Sequence, residues 1–494
     1  MSFALDRRAS GLLLHPTSLP GPHGSGDLGA PARRFVDFLH AAGQRWWQML
    51  PVGPTGMGDS PYDAPSAFAG NPLLVDLDAL VRAGYVQRGE LPRSRSADRV
   101  DYRAARADKE RCLRLAYERF RRRPRRPAGF RRFCAEHATW LDDFALFAAL
   151  ARSKPGSAWT DWDEPLRRRN RAALRAAAAR LAEELDYHRF VQWLFWRQWR
   201  ALRRYAHARD VALLGDLPIF VAHHSADVWA EQELFHLDRD GRQTVVAGVP
   251  PDYFSATGQR WGNPLYRWPA HRRRGYDWWL RRLGAQLTRF DALRLDHFIG
   301  FVRYWEVPAT AATAEVGRWR RGPGADFLSA AFAALGRPRL IAEDLGAVTA
   351  AVVRLRDRFE LPGMAVLHFA FDGNPSNPHL PHNHRRRSVV YPGTHDNDTS
   401  RGWYRRATPV VRRRVRDYAG ARGDDIHAAL VRLALASVAD LAVIPVQDLL
   451  GRGSRARMNL PGSAGGNWRF RLPPGAPDRR AADRLGELTA VFGR

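Results

Sequence analysis

Residues 290–301 read FDALRLDHFIGF. The run alternates apolar and polar residues as a half-buried strand does, and it ends in a charged cluster. Side chains along a strand point to alternate faces, so Arg294 and Asp296 project to the same side. A buried charge is costly unless it is paired or put to use. Taken alone, R-x-D is a structural ion pair at a strand end. What the other strands carry at the same level decides between that reading and a functional one.

Seven further β-rich runs follow the same plan. They are GLLLHPTS from Gly11, RWWQMLPVG from Arg45, VALLGDLPIF from Val211, RLIAEDLG from Arg339, MAVLHFAFD from Met364, SVVYPGTHDND from Ser388 and LAVIPVQDLLG from Leu441. Helical patterns lie between several of them, at 30–42, 277–288, 349–359 and 410–439. Eight strands alternating with helices predict an α/β chain folded as a (β/α)8 TIM barrel. The active site of such a barrel lies at the C-terminal strand ends. Those ends carry Asp216, Arg294, Asp296, Glu343, His395 and Asp396.

One catalytic barrel is expected to span 1–494, interrupted twice. Residues 76–192, between the second and third strands, are rich in Ala and Arg with helical periodicity, as in LRRRNRAALRAAAARLAEEL at 166–185. They read as mainly helical insertions. Residues 222–274 contain AGVPPDYFSATGQRWGNPLYRW, rich in Gly, Pro and aromatics, and read as a loop-rich insertion over the cleft.

The chain has 494 residues, 45% of them hydrophobic, and 17 Trp, which is ample for a large core. Its net charge of +27 raises the question of nucleic acid. Of its 78 Lys and Arg, only Lys109 and Lys154 are lysines, a coding bias rather than a phosphate-tracking surface. The basic runs RRRPRRP (121–127) and RRRNR (167–171) lie away from the strand motifs and read as solvated faces. No nucleic-acid partner is expected. The lysine shortage also excludes a Walker-type phosphate loop and argues against a Schiff base. Cys112 and Cys134 give no disulfide framework and no thiolate metal set. MSFALDRRASGLLLHP lacks the basic-then-apolar pattern of a secretory leader, and no run of about 20 apolar residues occurs. A cytoplasmic enzyme without metal, cofactor or membrane contact is the expectation.

Carboxylates at the strand ends, without cysteine or lysine, suit glycosidic bond chemistry. One must be ionised and one protonated. Arg294 is expected to hold Asp296 ionised, and Glu343, after an apolar run, to keep its proton through burial. A nucleophile with an acid/base defines the retaining mechanism.

Long stretches of the chain then resemble one family. GLLLHPTSLP, GDSPYDAPSAFAGNP, GDLPIFVA, VAGVPPDYFSATGQRWGNPLY, LRLDHF, AEDLG, GTHDNDT, PVQDLLG and SRARMNLPGSAGGNWRFRL are similar to the bacterial amylomaltases, 4-α-glucanotransferases allied to the α-amylase superfamily. The resemblance covers nearly the whole chain. It implies the same barrel with inserted subdomains. It implies Asp296 as nucleophile, Glu343 as acid/base and Asp396 as a third acid that strengthens its hold on sugar hydroxyls in the transition state. Tyr62, Asp216, Arg294 and His395 would line the sugar site beside the cleaved bond, with Tyr253, Trp261 and Asn467 as further glucan contacts. The implied substrates are α-1,4-glucans and maltooligosaccharides, with glucose as an acceptor. Two alternatives stay open: a hydrolase of the same superfamily, and a basic nucleic-acid-binding protein on a degenerate barrel.

Some residues read less sharply. His379, His382 and His384 in PHLPHNH suit a polar loop better than a metal site, and His15 reads as a hydrogen-bonded structural residue. Two departures from relatives stand out. Met57 in PTGMGDSPY occupies a place usually aromatic, which the resemblance assigns to a remote glucan site; the alternative is a packing filler. His223 and His224 stand where relatives often carry an acid.

Overall fold

The computed structural model describes residues 4–93, 98–251, 255–421, 423–463 and 465–494. Its strands, in chain order, are β1 (Ala9–Leu13), β2 (Trp46–Gln48), β3 (Ala212–Leu217), β4 (Val245–Val249), β5 (Gln259–Pro264), β6 (Ala292–Leu295), β7 (Arg303–Pro308), β8 (Arg318–Arg321), β9 (Leu340–Ala342), β10 (Gly363–Val366), β11 (Ser388–Tyr391) and β12 (Leu441–Pro445).

Eight of these form one sheet in the order β10-β11-β12-β1-β2-β3-β6-β9, and every pairing in it is parallel. They are the eight runs singled out in the sequence. The ring closes through the Ala342 N–H, which donates to the carbonyl of Pro362, the residue before β10, at 2.8 Å. All eight strands are buried along their length, as expected of parallel strands covered by helices on one side and filled on the other. Gly11 lets β1 and β2 approach: a Cβ there would meet the Trp46 carbonyl oxygen at 2.3 Å.

The outer helices follow the periodicity. The helix Ala30–Ala41 carries Pro at its start and buries Ala32, Phe35, Val36, Phe38 and Leu39. The pattern at 410–439 forms two helices, Pro409–Ala419 and Ile426–Ala436, because Gly420 adopts φ 62 and ends the first.

Between β2 and β3 the described residues form seven α-helices, from Leu77–Arg82 to Ala182–His207. Residue 192 falls inside the last of these, a 26-residue helix. Its C-terminal half is the barrel helix preceding β3. There Trp199 packs edge-on against Phe290 (5.2 Å between ring centres) and bonds the Arg289 carbonyl at 3.1 Å. The boundary expected at residue 192 is thus replaced by one continuous helix shared between insertion and barrel. Lys109, nearly fully buried, ties the insertion to the first barrel loop through Asp27 at 3.1 Å.

Residues 222–274 carry more order than a loop. β4 and β5 pair antiparallel and join β7 and β8 in a four-stranded sheet, order β5-β4-β7-β8. This sheet has its own small core of Val246, Val307 and Ala314.

Candidate active site

The site grows from strand register. Asp216 on β3 and Arg294 on β6 are paired residues of neighbouring parallel strands, so their side chains leave the sheet at the same level. Arg294 Nη1 donates to both Asp216 oxygens at 2.8 Å and to Asp296 Oδ1 at 3.0 Å. One guanidinium therefore serves two carboxylates. Its side chain is 4% exposed and that of Asp216 0%, whereas Asp296 keeps 27%. The open member of the cluster is Asp296.

Tyr62 closes the other flank. Its hydroxyl donates to Asp216 Oδ2 at 2.8 Å and lies 2.8 Å from His395 Nε2. Burial lowers the His395 pKa, so the ring is neutral, and a proton on Nε2 satisfies the contact to the tyrosyl oxygen. The same Nε2 stands 3.4 Å from Asp396 Oδ1. Asp396, with a side chain 44% exposed, accepts from Asn459 Nδ2 at 2.6 Å, and its carbonyl accepts from Arg457 Nη2 at 2.6 Å.

Glu343 follows β9. Its Oε2 accepts the His297 backbone N–H at 2.6 Å and its Oε1 the Leu345 N–H at 3.1 Å. His297 is held at φ 49, ψ 52, a left-handed conformation costly for a side chain with a Cβ. Phe298 N–H donates in turn to the Glu343 carbonyl at 3.0 Å.

Burial drives the Glu343 carboxyl up to about 8, with a further rise from Asp296 that Arg294 and the two backbone N–H groups oppose. The expectation that Arg294 keeps Asp296 low is corrected here. Burial lifts Asp296 to about 7; Arg294 pulls down, but Asp216 and Asp396 push up alongside the burial. Burial is the main physical reason, and Asp216, held by the same guanidinium, adds to it. Burial raises both carboxyls, and Glu343 is the more enclosed of the two.

The remaining expected residues divide. Trp261 on β5, 38% exposed, sets its ring edge-on to His297 at 4.8 Å and so borders the acids. Asn467 does not reach them: it closes the turn at 460–463, accepting from Leu460 N–H and donating to the Ser463 carbonyl, both at 3.0 Å. Tyr253 lies outside the described residues. Sequence reasoning missed Trp468, whose ring is 5.6 Å from Tyr62 and 6.2 Å from His395, and also Asn459, Arg457 and His297. Trp468 follows Asn467 in the quoted GGNWRF, so its neighbour was a usable signal; the φ of His297 has none.

The helix Asp277–Arg289 braces both loops of this cluster. Arg282 Nη2 donates to the Pro218 carbonyl at 2.6 Å and Nη1 to that of Ile219 at 3.2 Å, just beyond Asp216. Gln286 reaches the Ala67 carbonyl at 3.0 Å and Arg289 that of Phe68, in the segment that carries Tyr62. Spacings of four and three residues put these side chains on one helix face. Asp227 Oδ2 accepts the Ala67 N–H at 2.7 Å on the same side.

Other candidates are accounted for locally. His384 bonds Ser437 at 2.7 Å and the His379 carbonyl at 2.9 Å, while His379 accepts from Val366 N–H at 3.1 Å. His15 is buried and driven down to about 3 by burial and by His395. His223 contacts the Gly241 carbonyl at 2.8 Å, and its own carbonyl accepts from Trp159 Nε1 at 2.8 Å. Met57 is 85% exposed, which rules out the packing-filler reading.

Comparison with known proteins agrees with this arrangement. The 4-alpha-glucanotransferase family model, glycoside hydrolase family 77, matches residues 14–476. The 4-alpha-glucanotransferase of Thermus thermophilus is 52% identical, over 99% of both chains. That of Synechocystis sp. is 47% identical, over 99% of both chains. The solved amylomaltase from Streptococcus agalactiae, in complex with acarbose, superimposes with a TM-score of 0.95 at 35% identity, covering 99% of this chain and 100% of that one. A barrel with these strand ends, matched end to end by transferases of α-glucans, has one family to belong to: the chain is a member of the 4-alpha-glucanotransferases of glycoside hydrolase family 77.

Proposed function

We propose that this site carries out the family's α-glucan transfer by double displacement through Asp296. Asp296 attacks the anomeric carbon while Glu343 gives its proton to the departing glycosidic oxygen, and a glucanyl ester forms on Asp296. The leaving saccharide departs with that proton. Glu343, now a base, takes the proton of the 4-hydroxyl of an incoming glucan, which attacks the ester and frees Asp296. Two inversions give net retention. Asp396 holds sugar hydroxyls as the ring flattens, and Tyr62, Asp216, Arg294 and His395 fix the sugar beside the cleaved bond. Trp261 offers an apolar face along the cleft.

The observation that carries this reading is the contrast between two acids at one barrel mouth. Burial raises both, but Asp296 is ion-paired to Arg294 and keeps 27% of its side chain open, whereas Glu343 is enclosed and meets only backbone N–H groups. In this reading the ion-paired acid takes the ionised role and the enclosed acid the protonated one. Maltooligosaccharides are the donors in this reading, and glucose is an acceptor. Acarbose, which the Streptococcus agalactiae enzyme binds, is expected to occupy the same cleft. Nucleic acid has no part in it. The segment 249–261 is the proposed cover that favours a sugar acceptor over water; Tyr253 belongs to it and is proposed as a glucan contact. Asn467 is proposed to act through the loop it closes next to Trp468. A cytoplasmic location suits the two free cysteines, Cys112 and Cys134.

Incubation with maltotriose tests the proposal. A ladder of longer maltodextrins with free glucose supports transfer. Maltose and glucose in equal amounts, with nothing longer, contradicts it and favours the hydrolase.

A further inference from the structure

Glu343 protonates the oxygen that leaves, so the leaving chain and the incoming acceptor both run on its side of the cleft. The loop after Glu343 is therefore the place to look for contacts beyond the cleaved bond. Arg303 on β7 reaches that loop, its Nη2 standing 3.5 Å from the Ala347 carbonyl. The Arg303 guanidinium also lies 4.1 Å over the ring of Trp319 on β8.

Trp319 is unusual for its position. β8 is an edge strand in which every residue is exposed, and the Trp319 indole itself is 36% exposed. Its register partner Trp305 meets it at 5.3 Å and 68°, but bonds the Ala314 carbonyl and helps cover the small core of this sheet. Trp319 is the ring left facing out. Val348, 40% exposed, stands next to Ala347 on the Glu343 loop, and Val316, 65% exposed, precedes β8. The sheet is tied to Glu343 a second time, because the turn Phe298–Phe301, whose first N–H holds the Glu343 carbonyl, runs directly into β7.

We infer that Trp319, steadied by Arg303, is a stacking platform for distal glucose units of the leaving and accepting α-1,4-glucan. The inference rests on Glu343 as the acid/base. An indole presents a flat apolar face to the apolar face of a sugar ring, and a guanidinium on its other side fixes its orientation before the ligand arrives. Ala347 is four positions after Glu343, a span of at most roughly 14 Å. Trp319 touches that loop only through Arg303, so in this inference the platform serves units beyond those next to the cleaved bond, and therefore long chains.

The test separates acceptor lengths. Maltosyl fluoride serves as donor, so that the first step leaves nothing on this side but fluoride, and glucose or maltoheptaose serves as acceptor. Trp319→Ala is expected to raise the KM for maltoheptaose roughly threefold to tenfold. Transfer to glucose stays within about twofold of wild type, and Trp319→Phe recovers most of the loss. Equal losses with both acceptors would make Trp319 a structural residue, and unchanged KM values for both would remove it from binding; either result overturns the inference. The acid/base reading fails separately: near-wild-type transfer from maltotriose by Glu343→Gln sinks that assignment without any Trp319 variant.

Discussion

Two cations are buried almost equally in this molecule, and they do different things. Lys109 is 1% exposed and meets Asp27, itself 6% exposed; the second Asp27 oxygen accepts the Gly29 N–H, and the lysine also donates to the Val75 carbonyl. That pair is closed. Arg294 is 4% exposed, but it divides itself between a fully buried Asp216 and an Asp296 that keeps 27% of its side chain open. A closed pair can only hold parts together. A shared cation with one open carboxylate keeps a charge available to a ligand, at some cost in stability. Burial alone does not distinguish the two; what each carboxylate has left over does.

Breaking the open pair gives the largest effect. Asp296→Asn is expected to lower kcat by about 10⁴-fold or more, the scale of losing a covalent catalyst, with the melting temperature little changed. Activity near wild type would transfer the nucleophile's role to another acid.

The pH profile sharpens the same comparison. In the proposed mechanism Asp296 reacts ionised, so kcat/KM is expected to rise as pH climbs through about 7. In the same mechanism Glu343 reacts protonated, so kcat/KM is expected to fall as pH climbs past about 8. Asp216 is among the charges that raise Asp296. Asp216→Asn is therefore expected to move the acid limb to lower pH while leaving the alkaline limb in place. An acid limb that stays put would show that Asp216 does not tune Asp296.

Breaking the closed pair has the opposite signature. Lys109→Met leaves Asp27 buried without its cation and is expected to destabilise the fold by about 3–5 kcal/mol, read by urea titration. The folded fraction should keep wild-type kcat and KM. A change in KM without loss of stability would place Lys109 in the functional class.

Smaller effects are expected from the braces. Arg282→Lys keeps the charge and loses the fork that bonds the Pro218 and Ile219 carbonyls, and kcat/KM is expected to fall about tenfold. An unaltered kcat/KM would show that the helix Asp277–Arg289 supports the barrel without positioning Asp216. At the low end, Met57→Tyr is expected to tighten long-glucan binding a few-fold at the exposed rim and leave maltotriose turnover alone. Equal affinities for long glucans would end the idea of a remote site there.

The legible parts of this chain were those set by local pattern. The eight barrel strands stood out because parallel strands buried on both faces are near-continuous apolar runs, such as LAVIP and SVVY. The acids at their ends followed from the barrel geometry. The second sheet stayed hidden because RYWEVP and RWRR carry charges along short strands, with Arg318 and Arg320 both spent on the buried Glu306. The shared guanidinium was half legible: R-x-D gives the Asp296 contact, but Asp216 enters only through the register between β3 and β6. The left-handed His297 was not legible, since its N–H meets Glu343 only across the fold, 46 residues away in the chain.

The central claim is that the open acid of the shared pair takes the glucan covalently, and trapping that ester tests it most directly. Glu343→Gln, incubated with a maltosyl fluoride donor, retains the nucleophile and a leaving group that needs little protonation, but lacks the base for the second step. Mass spectrometry of the digested protein should then find one maltosyl group, on the peptide containing Asp296, and none after Asp296→Asn is added. A maltosyl group on Asp216, Asp396 or any other carboxylate, with Asp296 unmodified, would contradict the account.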